Sequence, residues 1–168
     1  MNRGSAMTSS PRLTFRRSIL TAATYPDAVA AAIRYHRFGA RVTDGMTVTT
    51  SVFALQLRYL HDHGYTIVPL RDVVNFAAGR GELPARAVAI TADDGHCTVF
   101  TDMKPLVEKY RIPVTLFTYP SAISNASYAM TWEQLAELKA SGLFSIESHT
   151  YWHPHFHIDK RRPLARRL

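Results

Sequence analysis

Two short stretches of the chain carry side chains that could do chemistry together. Thr91-Ala92-Asp93-Asp94-Gly95-His96 sets two adjacent carboxylates after an apolar run and before a glycine. One carboxylate of such a pair can ligate a cation while its neighbour accepts a proton. Taken alone, Asp-Asp-Gly reads first as a solvated turn or a helix cap. His149-Thr150-Tyr151-Trp152-His153-Pro154 sets two imidazoles four residues apart, a spacing at which both can chelate one ion. Pro154 disfavours helical backbone at His153, so the pair is expected on a shaped loop at a strand end. His155 and His157 follow at once, and a chance excess of histidine is the plain alternative. Combined, Asp94, His149 and His153 offer one oxygen and two nitrogens, a ligand set that leaves positions open for water and substrate in catalytic zinc sites. Metal-assisted hydrolysis is the favoured chemistry.

These side chains can meet only if the fold delivers them to one place. Residues 87–91, Ala-Val-Ala-Ile-Thr, form a continuous apolar run of strand length, as in a parallel strand covered on both faces, and lead into the Asp pair. Residues 143–148 are expected to form a further strand, which leads into His149. Strands are also expected at 31–36, 65–68 and 113–118, with a polar loop through Gly39 and Gly45. Thr50 or Ser51 can cap a helix with Val52, Leu55 and Tyr59, together with Phe53, Leu57 and Leu60, at a 3.6-residue period, ended by Gly64. Residues 71–78 read as a short helix, and a further one runs to Tyr110 with Pro105 confined to its first turn. Thr131-Trp132-Glu133-Gln134 is a capping box that opens a helix closed by Gly142.

About five strands, four of them separated by helices, predict an α/β fold with a parallel sheet. Such sheets place their chemistry at the C-terminal strand ends, where both clusters lie. Five strands are too few to close a βα barrel of roughly 250 residues.

The chain has 168 residues, 46% hydrophobic and 20% charged, enough for one domain with a buried core. Its net charge of +7 raises the question of nucleic acid, but residues 1–30 hold +3 and residues 160–168 hold +5, which leaves −1 for residues 31–159. A near-neutral body cannot build a phosphate groove, so no nucleic-acid partner is expected. Cys97 is the only cysteine and excludes an internal disulfide. The longest charge-free run, residues 112–132, is interrupted by Pro113, Pro120 and several polar residues, so no transmembrane segment is expected. Residues 1–30 read as a basic leader or degenerate export signal, with Arg16-Arg17 before a short apolar stretch. A functional leader would place the protein in the periplasm or outside the cell; otherwise it is cytoplasmic.

The two clusters resemble the motifs of the polysaccharide deacetylases, the NodB-homology domain of carbohydrate esterase family four. The first motif of that family reads T-F-D-D-G, against Thr91-Ala92-Asp93-Asp94-Gly95, and the second reads H-[ST]-x-x-H-[PS], against His149 to Pro154. The Pro113-Val114-Thr115-Leu116-Phe117 strand is similar to a further family segment, and Tyr35-His36-Arg37-Phe38-Gly39 resembles the branch acting on poly-N-acetylglucosamine. The resemblance covers residues 31–160 and implies the N-terminal part of a (β/α) barrel of NodB-homology type that does not close, followed by a basic tail at 160–168. It implies that Asp94, His149 and His153 hold a divalent metal, most simply zinc, and that Asp93 is the base acting on a metal-bound water to remove N-acetyl groups from a glycan. Ala92 in place of Phe is expected to loosen packing beneath the loop.

Three later family motifs supply an arginine that orients the base, a groove wall and a leaving-group acid; none can be assigned here, and His155 and His157 are not expected to substitute. The alternative is therefore a chain that keeps the metal site without turnover. Tyr151 and Trp152 either stack on a sugar or pack on the neighbouring strand, and His36 at a strand end faces the site. Trp132 is expected in the core, His96 exposed and Cys97 as a small packing residue. His61 and His63 are expected to answer the dipole at a helix end.

Overall fold

A computed structural model of the chain describes residues 21–25 and 28–154. Its elements are, in chain order, β1 (Thr21–Tyr25), β2 (Ala28–Tyr35), β3 (Arg37–Gly39), β4 (Thr47–Thr49), α1 (Thr50–Asp62), β5 (Thr66–Ile67), α2 (Leu70–Ala77), β6 (Arg86–Asp93), a π-helical turn (Val99–Met103), α3 (Lys104–Tyr110), β7 (Val114–Thr118), α4 (Trp132–Ala140) and β8 (Phe144–Ser148). The main sheet has the order β1-β2-β6-β7-β8, with β5 also paired to β6. β1 is antiparallel to β2, and every other pairing in this sheet is parallel. Along β2, β6, β7 and β8 the spatial order follows the chain order, as in a barrel and unlike a doubly wound sheet, while β5 precedes β6 in the chain and pairs with the edge of β6 opposite β2. The sheet does not close, as the sequence indicates.

β6 forms the centre because residues 87–93 are all buried, which requires cover on both faces and accounts for the unbroken apolar run. Register then fixes which residues share a face. Thr91 lies opposite Thr115, which lies opposite Ser145, and Asp93 lies opposite Phe117, which lies opposite Glu147. On the other face, Leu116 and Phe144 join the helices in the core. Tyr35, Phe38 and Phe53 pack with ring centroids 5.0 to 5.6 Å apart, and the buried Tyr35 hydroxyl donates to Gln56 Oε1 at 2.8 Å.

Several elements differ from the reading of the sequence. β1 and the first residues of β2 lie inside the span read as a leader, residues 1–30; residues 1–20, the basic tail, His155 and His157 lie outside the described residues. β3 and β4 form the two ends of the expected polar loop, of which residues 40–46 remain irregular. Because β4 runs straight into α1, the cap is Thr49, whose hydroxyl accepts from the Val52 amide, and not Thr50 or Ser51. The helix expected to end at Tyr110 starts as a π-helical turn, and Pro105 falls in the first turn of α3 as its missing N–H requires. The capping box forms with both of its hydrogen bonds. Trp132, however, is 51% exposed: it is the first residue of α4, one turn before Leu135 and Leu138, which carry the buried face.

Candidate metal centre

β6 ends on Asp93, and the next residue turns the chain. Asp94 and Gly95 both have left-handed backbone, at φ 72° and 71°. Gly95 is required there: a Cβ would lie 2.9 Å from Ile123 Cδ1 and 3.2 Å from Thr118 Cγ2. The turn is held from above, since the Met130 amide donates to the Gly95 carbonyl at 2.9 Å and the Cys97 amide to the Tyr128 carbonyl at 2.8 Å. From the other side, the Phe38 amide donates to Thr98 Oγ1 at 2.9 Å, tying β3 to the same loop.

β8 delivers the second cluster. The His149 amide donates to the Thr118 carbonyl at 2.9 Å, extending the β7–β8 ladder by one residue. Thr150 and His153 then adopt left-handed backbone at φ 66° and 48°, and the His153 amide donates to Thr150 Oγ1. Asp94, Thr150 and His153 account for three of the five non-glycine residues of positive φ among the described residues. Each costs on the order of 1 kcal/mol, so the strain of the fold is concentrated where the ligand set is assembled.

The strained turns bring His149 Nε2 to 3.6 Å and His153 Nε2 to 3.3 Å from Asp94 Oδ1. One donor atom from each of the three residues lies within 4.8 Å of the other two. Asp94 Oδ1 is buried and has no hydrogen-bond partner, a costly state for a carboxylate oxygen. Donors sharing a tetrahedral ion at about 2.1 Å stand about 3.4 Å apart, so a divalent cation fits the set and would satisfy the orphaned oxygen.

Asp93 sits beneath, with 4% of its surface exposed. Arg34 Nη1 lies 3.5 Å and His36 Nε2 3.9 Å from its Oδ2. Burial pushes the Asp93 carboxyl above the usual carboxylate range, opposed by the charges of His36, His149 and Arg34. Burial likewise pushes His36 below the ordinary imidazole value. His36 therefore does face the site, whereas Tyr151 and Trp152 are exposed and packed edge to face on each other, not on a strand. His96 is half-buried, with Nδ1 2.9 Å from Thr98 Oγ1 and its ring stacked on Tyr128, which corrects the exposed position expected of it. Arg34 carries no motif of its own, and its one signal in the sequence is the two-residue alternation that puts it on the same side as His36.

The chain is similar to several known proteins. It is 27% identical over 159 residues to the poly-beta-1,6-N-acetyl-D-glucosamine N-deacetylase of Escherichia coli O157:H7, covering 85% of this chain and 24% of that one. It is also 27% identical over 140 residues to the enzyme of the same name from Staphylococcus epidermidis, covering 73% and 48%. The chain thus spans between about a quarter and a half of the length of these relatives. Among solved structures, IcaB from Ammonifex degensii superposes with a TM-score of 0.67 at 31% identity, covering 73% of this chain and 53% of that one. The Streptococcus pyogenes deacetylase PplD gives 0.63 at 25%, covering 73% and 57%. Residues 80–166, which hold both the Asp pair and the His pair, match the polysaccharide deacetylase family, and the chain belongs to that family.

Proposed function

We propose that residues 31–159 form part of a metal-dependent hydrolase that removes N-acetyl groups from an N-acetylglucosamine polymer. The buried, unpartnered Asp94 Oδ1 facing two imidazoles carries this reading, because a divalent ion answers all three groups at once. Asp94, His149 and His153 would hold the ion, and their one-oxygen, two-nitrogen set suits zinc. When bound, the ion supplies a Lewis acid for the acetamide carbonyl and acidifies water. Asp93 accepts the proton of the attacking water. Its Oδ2 faces Arg34, whose positive charge favours the ionised, proton-accepting form against the effect of burial, and His36 Nε2 lies 3.9 Å away. Water adds to the carbonyl carbon, the proton held by Asp93 passes to the departing nitrogen as the C–N bond breaks, and acetate and a free amine result. His36 lines the site, and Tyr151 and Trp152 offer exposed ring surface for a sugar.

Acetate release from N-acetylglucosamine oligosaccharides by the 168-residue chain with zinc tests the reading. Release that disappears in both Asp93→Asn and His149→Ala supports it, and release unchanged in both overturns it. A zinc titration run alongside separates the alternative, in which the ion binds and no acetate appears.

A further inference from the structure

Tyr119 directly follows β7, and Tyr128 lies on the 121–130 segment that braces Gly95. Their hydroxyls are hydrogen-bonded to each other. The Tyr119 ring packs on that of His153, with centroids 5.1 Å apart and planes at 37°. The Tyr128 ring stacks on His96 at 6.0 Å and 21°, and the Tyr128 carbonyl is held by the Cys97 amide. The two phenols are therefore fixed in place beside the proposed ligand loop.

A phenol both donates and accepts, so one mutual hydrogen bond uses one of the two protons and leaves the other. Packing does not use it, because Tyr128 is 43% exposed. A second aromatic surface adjoins the first: the Tyr151 carbonyl accepts from the Ser121 amide at 3.3 Å, which joins the loop of exposed Tyr151 and Trp152 to the segment bearing Tyr128. Rigid, half-exposed aromatic rings with a spare polar donor match the chemistry of a sugar, whose C–H faces pack on rings and whose oxygens accept hydrogen bonds.

We propose that the Tyr119–Tyr128 pair is a sugar-binding subsite beside the metal centre, donating its spare hydroxyl proton to an oxygen of an N-acetylhexosamine unit. The inference rests on the deacetylase reading and adds the residues that grip the glycan. The role is binding, so its mark is glycan affinity and not metal affinity.

Calorimetric titration of the zinc-loaded 168-residue chain with an N-acetylglucosamine oligosaccharide tests it, with zinc titrations and thermal unfolding of the same samples. Tyr128→Phe keeps the ring and removes the hydroxyl; it should weaken glycan binding about five- to tenfold and leave zinc affinity unchanged. Tyr119→Phe should do the same, since it breaks the same pair. Glycan affinity unchanged in both variants, a parallel loss of zinc affinity, or zinc binding by the wild-type chain with no glycan binding each overturns the subsite. Failure of the wild-type chain to bind zinc overturns instead the reading on which it rests.

Discussion

Asp93 and Asp94 are adjacent in the chain yet differ in almost every physical respect. Asp94 is half-buried on a left-handed turn with an oxygen aimed at two imidazoles, whereas Asp93 closes a strand, is buried, and faces the Arg34 guanidinium and the His36 ring. The difference predicts separable losses. Asp93→Asn removes the proton acceptor and should lower deacetylation by about 10²- to 10⁴-fold while zinc affinity stays near that of the wild type. Asp94→Asn should lose both, as read by calorimetry and acetate release on the same preparations. Arg34 enters through its charge. It lowers the Asp93 pKa against the rise caused by burial, so Arg34→Gln removes a lowering contribution and the Asp93 pKa goes up. The base must be ionised to act, so the acid limb of kcat/KM against pH should move to higher pH in this variant. A limb that does not move, or that moves to lower pH, rules out the coupling.

The turn after β6 aims both carboxylates, and it depends on one residue without a side chain. Gly95→Ala combines a left-handed φ with a Cβ 2.9 Å from Ile123 Cδ1, and should cost about 1–3 kcal/mol of stability. Denaturant unfolding reads this cost directly; a midpoint equal to that of the wild type would show that the turn relaxes freely. The elements that carry the site were legible in the sequence for a local reason. β6 is buried on both faces and so runs apolar from residue 87 to 90 before it reaches the site, and β8 ends where the histidine pair begins. Pro154 likewise predicts the non-helical backbone seen at His153. What escaped is non-local or short. β3 and β4 have three residues each, too few for an alternation to register, and are held by each other and by Thr98, sixty positions from Phe38. The Tyr119–Tyr128 pair acquires its surroundings only through loop packing, which no spacing in the chain encodes. Trp132 is apolar and in helical register with Leu135, yet it opens α4, where the end of the helix leaves it exposed.

The ligand set ties together parts of the sheet that are not direct neighbours. Asp94 extends from β6, His149 and His153 from β8, and β7 lies between them. The main sheet is open, with β1 and β8 at its edges among the described residues, so β8 is held on one side only, by β7 and by the helix packed behind it. An ion bound by all three ligands would close a link from the central strand to this edge strand. Because the three donors converge only in the folded chain, binding favours the folded state by mass action. At free zinc about a hundredfold above the dissociation constant, the gain is about 2.7 kcal/mol, which for a chain of this size raises the unfolding midpoint by roughly 5–10 °C. Chelation should return the midpoint to its starting value. His149→Ala should abolish the increment, because it removes the donor nearest the ladder, whereas Asp93→Asn should retain it. A zinc-dependent rise that survives in His149→Ala would place the stabilising ion somewhere other than between β6 and β8.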